Sequence, residues 1–177
     1  SSVKASKAGG FNTQETAGNL DNFGFEPEEA ASVELGVKSN VLGGRARLNA
    51  AVFHTEFDDL QVGYFDPLEG FVVTNAAKAV SEGIELEGLY AVTDSLSVGA
   101  TAAYLNAEYR EFTASCPANT VQAAKLDCYP NPNRPAGNLV QDLKGVQLDN
   151  APEVTATMFA EHSMPVANGL LFGSRLD

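Results

Sequence analysis

Few residues in this 177-residue chain have the types and spacing that chemistry needs. Cys116 and Cys128 are an even pair at short spacing, in a stretch dense in Pro, Asn and Ala. Such a pair suits a disulfide in an oxidising compartment; two unrelated free thiols are the alternative. Zinc does not fit, because neither His54 nor His162 stands at ligand spacing from the cysteines. Glu56, Asp58 and Asp59 offer the carboxylate oxygens that a hard cation such as calcium takes. The same three residues also suit the solvated upper part of a strand, and that reading is adopted. Glu85 and Glu87 have the composition of a general acid–base pair. With two histidines, no Ser/His/Asp spacing and no glycine-rich phosphate loop, the chain offers them no catalytic partners. No catalytic residue, metal site or cofactor is assigned.

What must position these groups is a succession of strands. In ASVELGVKSN (31–40), Ala31, Val33, Leu35 and Val37 fall on one face, and Ser32, Glu34, Gly36 and Lys38 on the other. From Arg45 a long strand puts Ala46, Leu48, Ala50 and Val52 on an apolar face, with Arg47 and Asn49 opposite. The returning strand carries Ile84, Leu86, Tyr90 and Val92 on its apolar face and Glu85 and Glu87 on its polar one. Leu96, Val98, Ala100, Ala102 and Tyr104 align in the next, and Val154, Ala156, Met158 and Ala160 in a later one. Glu34, Lys38, Arg47, Asn49, Glu85 and Glu87 therefore all occupy polar faces. The acid pair reads as part of a wet wall rather than as a catalytic dyad.

The connections decide where such a wall could stand. NVLGG, TDS and PVANG are short turns, and DPLEG makes a hairpin tip with Pro67 and Gly70. Residues 11–29 and 113–150 are long and strand-poor. Short turns at one end and long loops at the other are the pattern of antiparallel outer-membrane barrels. Two strands exceed fifteen residues, against a usual length of about five or six. As an isolated open sheet they would leave two bare edges, which a closed barrel removes. The expected fold is all-β: an antiparallel up-and-down transmembrane β-barrel segment of about six to seven strands, a fragment of a larger barrel. No signal peptide opens the chain, and both ends read as cuts. The net charge of −12, from 23 acidic and 11 basic residues, argues against nucleic acid and against anionic lipid heads as partners. A passive porin-like barrel and a soluble β-sandwich binding module are the competing readings.

KAGGFN (Lys7 to Asn12), PEEAASVELGVKS, NAAVFHTEFDDLQV, TNAAKAVSEGIELEG and LDNAPE, in this order, resemble the barrel of TonB-dependent outer-membrane receptors. The resemblance covers nearly the whole chain and falls in the later part of that barrel. It implies residence in the bacterial outer membrane and a barrel of twenty-two strands around an N-terminal plug domain. It further implies uptake of a small nutrient, such as a ferric siderophore, driven through TonB. Residues 1–177 would then be a partial barrel, with the plug and the TonB-contacting box outside it. Outer-membrane lipid, the plug, TonB and the nutrient are the implied partners. Glu34, Lys38, Arg47, Asn49, Glu85 and Glu87 would face the lumen and hydrogen-bond the plug or neighbouring strands. Tyr129, Arg134 and Gln141, in the second long loop, would be ligand contacts. Without Trp and with few Tyr, the aromatic girdle is expected to be thin.

Overall fold

The computed structural model describes residues 1–12, 24–66, 70–116, 127–130, 132, 139–166 and 170–177. The strands are β1 (Ser2–Lys7), β2 (Gly10–Phe11), β3 (Gly24–Phe25), β4 (Glu28–Val41), β5 (Ala46–Asp66) and β6 (Gly70–Ala91). They continue as β7 (Leu96–Ser115), β8 (Tyr129–Pro130), β9 (Leu139–Asp142), β10 (Val154–Val166) and β11 (Leu170–Leu176). The principal sheet runs β1-β4-β5-β6-β7-β10-β11, and every pairing along it is antiparallel. β9 adds to the far end of β7 and β8 to β9, while β2 and β3 form a separate two-stranded sheet. β5, β6 and β7 span 21, 22 and 20 residues, so three strands rather than two exceed fifteen residues.

The short turns are built from local chemistry. Between β4 and β5, Gly43 and Gly44 take φ of 68° and 89°, a left-handed bend that costs glycine little. The guanidinium of Arg45 then donates to the carbonyls of Ala91, at 2.9 and 3.2 Å, and Val92, at 2.6 Å. This ties the β4–β5 turn to the end of β6. Between β6 and β7, the Thr93 hydroxyl accepts from the backbone N–H groups of Ser95 and Leu96.

Register carries the alternation across the whole sheet. Leu35, Val52, Ile84, Tyr104 and Val154 are successive cross-strand neighbours. So are Val37, Ala50, Leu86, Ala102 and Ala156, and, further down, Val41, Ala46, Tyr90, Val98 and Ala160. This apolar face is uncovered: Leu35 is 74 % exposed, Val154 68 % and Met158 76 %. An apolar surface spanning five strands is far beyond what a water-facing sheet tolerates and is what lipid requires. Tyr90 and Tyr104 mark its two ends, six ladder positions apart, or roughly 20 Å of strand. Two tyrosines on this face agree with the thin aromatic girdle expected from composition.

Apart from Ala46 beside the β4–β5 turn, the buried apolar side chains gather at the long-connection end instead. Val72, Ala77, Ala79, Val80, Ala107, Phe112 and Val140 are buried where the extensions of β5–β7 are covered. Part of that cover is residues 143–153, of which the sequence pattern assigns 143–150 to loop. They follow the edge of β7 with hydrogen bonds from Leu143 to Phe112, Tyr109 to Val146, Leu148 to Ala107 and Leu105 to Glu153. Gly145 and Asn150 take φ of 76° and 59°, so the path follows β7 without a strand's side-chain period.

Candidate functional site

On the face opposite the apolar one, the rows read Glu34–Phe53–Gly83, Gly36–Ala51–Glu85–Ala103–Thr155 and Lys38–Asn49–Glu87–Thr101–Thr157. They enclose a trough of about 430 Å³ lined by Glu34, Lys38, Asn49, Glu85, Glu87 and Thr101 among others. Arg47 lies on the same face one row nearer the short turns, between Asn40 and Leu89. Asn49 donates from Nδ2 to Glu87 Oε2 at 2.8 Å, and the hydroxyls of Thr101 and Thr157 are 2.6 Å apart. The other end of the Asn49 amide, Oδ1, is buried and has no hydrogen-bond partner among the described residues. Three carboxylates and one ammonium around small floor residues can bind hydrogen-bond donors and cations. They contain no nucleophile–base pair.

Two aromatic rings pave this wall. Phe53 lies against Gly83, and Phe159 lies over Gly99, each at a glycine directly across the ladder. The Arg175 guanidinium stacks 4.2 Å from the Phe159 ring centroid.

The acidic trio is divided by the pleat and a bulge. Glu56 stands 3.4 Å from His54 Nε2, and His54 Nδ1 stands 3.0 Å from Glu82 on β6. Asp58 pairs instead with Lys78 at 3.4 Å. Asp59 sits in the irregular stretch between Phe57 and Leu60 at φ 55°, and its carbonyl accepts from Asn75. Among the described residues no three His, Cys, Asp or Glu groups converge to hold a metal. The His54–Glu82 contact depends on pairing between residues 28 positions apart, which no local spacing announces. The Asn75 contacts share that character, although the Asn belongs to the TNAAKA motif.

Cys116 and Cys128 form a disulfide across a separation of 12 residues. Cys116 N–H donates to Leu139 O at 2.8 Å, so the bridge sits on the small sheet made by β7, β9 and β8. That sheet brings two expected ligand residues together: Tyr129 pairs with Val140, next to Gln141, which pairs with Ala114. Arg134 lies outside the described residues. Nearby, the rings of Tyr109 and Phe112 pack 4.9 Å apart, and burial, with the Asp149 carboxylate, raises the Tyr109 phenol above its usual value.

The profile of the family described as "TonB dependent receptor-like, beta-barrel" matches residues 3–174. The probable TonB-dependent siderophore receptor PiuA of Acinetobacter baumannii is 26 % identical over 146 residues, 82 % of this chain and 17 % of that protein. The pesticin receptor of Yersinia pestis is 37 % identical over 81 residues, 46 % of this chain and 11 % of its own length. The chain thus spans about a fifth or less of the curated relatives it matches. In three dimensions it is similar to the crystal structure of PiuA, with TM-score 0.58, 23 % identity, 91 % of this chain and 21 % of that one. It is also similar to the ferric yersiniabactin uptake receptor FyuA of Yersinia pestis, with TM-score 0.53, 19 % identity, 92 % of this chain and 26 % of that one. Profile, two-faced sheet and shared fold agree: the chain belongs to the TonB-dependent receptor family and forms part of its outer-membrane β-barrel.

Proposed function

We propose that this chain is a stretch of barrel wall in a receptor for TonB-energised uptake of a scarce nutrient such as a ferric siderophore. The observation that carries the wall reading is the uncovered apolar face backed by a charged trough. In this reading Leu35, Leu86 and Val98 meet lipid, while Glu34, Lys38, Arg47, Asn49, Glu85 and Glu87 meet the lumen and the plug. The partnerless Asn49 Oδ1 suits a donor arriving from such a plug. The nutrient class comes from the names of the relatives, PiuA and FyuA among them. The wall binds and guides; it catalyses no bond change, and TonB acts through the plug rather than through these strands. The short turns face the periplasm, and the β2–β3 and β8–β9 regions face outside, where Tyr129, Arg134 and Gln141 contact the nutrient.

Two measurements test this. In cells carrying the full-length receptor, an impermeant maleimide should label Lys144→Cys and spare Asp94→Cys; the reverse would invert the barrel. Accumulation of radiolabelled iron, supplied as a panel of ferric siderophores, should require both the receptor and TonB. TonB-independent passage would favour a passive pore.

A further inference from the structure

Three side-chain carboxamides bind the chain between β1 and β4 to the far end of the β5–β6 hairpin. Asn12 pairs with the backbone of Val73 in both directions, donating to its carbonyl at 2.9 Å and accepting from its N–H at 2.8 Å. Gln61 donates to the carbonyls of Ala8 at 2.9 Å and Glu26 at 3.1 Å. Asn75, directly across the ladder from Gln61, accepts from Glu26 N–H at 2.6 Å and donates to Glu26 O at 2.8 Å and Asp59 O at 2.9 Å.

The third of these bonds depends on the bulge. Register slips between Phe57 and Gln61, and Asp59 takes a left-handed φ, leaving its carbonyl outside the β5–β6 ladder and available to Asn75. Asn75 therefore joins three separate segments at one amide. All its partners are backbone atoms, so the node sets where the chain runs without constraining which side chains it presents. The fit is close elsewhere too: a Cβ on Gly9 would fall on the Phe25 carbonyl and 2.9 Å from Glu26 C, and one on Gly10 would lie 2.7 Å from the Phe25 ring.

We infer that Asn75, with Gln61 beside it, is a positioning residue of the receptor mouth: it holds residues 8–12 and 24–27 on the β5–β6 extension as a wall formed before any ligand arrives. A solute reaching this wall meets an ordered surface and bears no cost of folding it. Only a carboxamide can do this, because the node needs one acceptor and two donors on a single planar group. The inference rests on the receptor reading only in naming this end the mouth.

Amide hydrogen exchange on the full-length receptor in detergent tests it, with heat-modifiable gel mobility reporting assembly separately. Glu26 and Val73 amides should be protected without ligand. In Asn75→Leu, Glu26 should exchange at least about tenfold faster, with the ladder amides of β4 and β5 unchanged. Asn75→Asp keeps the acceptor and loses both donors, so its Glu26 rate should fall between the two. Should Asn75→Leu not assemble, Asn12→Ala reads the same clamp through Val73. An unprotected Glu26 in the wild type, or exchange unchanged in whichever variant assembles, overturns the inference and leaves the family assignment standing.

Discussion

Glu85 and Leu86 are consecutive in β6 and stand on opposite sides of one wall: Glu85 lines the charged trough between Ala51 and Ala103, and Leu86 stands 52 % exposed between Ala50 and Ala102. Nothing but the pleat separates them. The same one-residue step divides Glu34 from Leu35 and Thr101 from Ala102. A register slip of one residue would exchange every such pair, so the burial of one face in lipid fixes the pairing of all the strands.

Leu86→Arg should therefore impair assembly much more than Glu85→Arg. A cation on the lipid face near the midplane costs roughly 2–4 kcal/mol, whereas one at position 85 on the trough side meets the two remaining carboxylates, Glu34 and Glu87. The yield of heat-modifiable receptor in outer-membrane fractions measures both variants. Equal yields would show that the faces are not lipid and lumen.

Gly83 makes a different demand. A Cβ there would overlap the Tyr104 carbonyl oxygen and come within 2.9 Å of the Phe53 ring. The ring can turn aside; the β7 backbone cannot without breaking its ladder to β6. Gly83→Ala should cost roughly 1–3 kcal/mol, the usual range for overpacking. Gly88→Ala is the control, since its nearest neighbour is Leu48 Cδ2 at an ordinary 3.6 Å. Comparable losses of thermal stability in the two variants would refute the steric account.

Asn150 holds a left-handed φ of 59° in LDNAPE, just before β10 takes up regular pairing with β7. Asn tolerates that conformation better than most residues, and Gly better still. Asn150→Gly should be close to neutral, whereas Asn150→Val should lose roughly 1–2 kcal/mol and loosen the Leu148 and Leu105 amides against exchange. Equal protection in both variants would mean that the bend is not what holds this strip.

How much was legible beforehand follows from what each feature depends on. The two faces of β4–β7 could be read because a lipid-facing strand writes its period of two into every second residue. Which residues share the trough's face followed from the same parity, down to Asn49 and Glu87, although Arg47 on that face does not line the trough. The path of 143–153 along β7 was not legible, because backbone hydrogen bonds to an edge need no side-chain pattern, and Gly145, Asn150 and Pro152 interrupt whatever period exists. The His54–Glu82 contact and the Asn75 node were hidden for another reason. Each depends on register between segments far apart in the chain, and composition carries no trace of register.

The cysteine pair lies between these cases. Its pairing followed from spacing and context; its seat on the β7–β9–β8 sheet did not. Closing a loop of this size restricts the unfolded chain by about 3 kcal/mol in the entropy model. The principal strands are held by their own ladders, which the bridge does not touch. Cys116→Ser should therefore leave the barrel assembled and loosen the β8–β9 sheet, seen as faster exchange of the Cys128–Pro130 and Leu139–Asp142 segments. Because Tyr129 and Gln141 sit in that sheet, any ferric siderophore that the receptor proves to accumulate should bind more weakly to the variant, with assembly unchanged. A non-reduced digest of wild-type receptor purified without reductant should yield one cross-linked peptide pair holding both residues. Two separately alkylated thiols would remove the bridge, and the hydrogen bonds from β9 to β7 and β8 would then have to hold the loop base unaided.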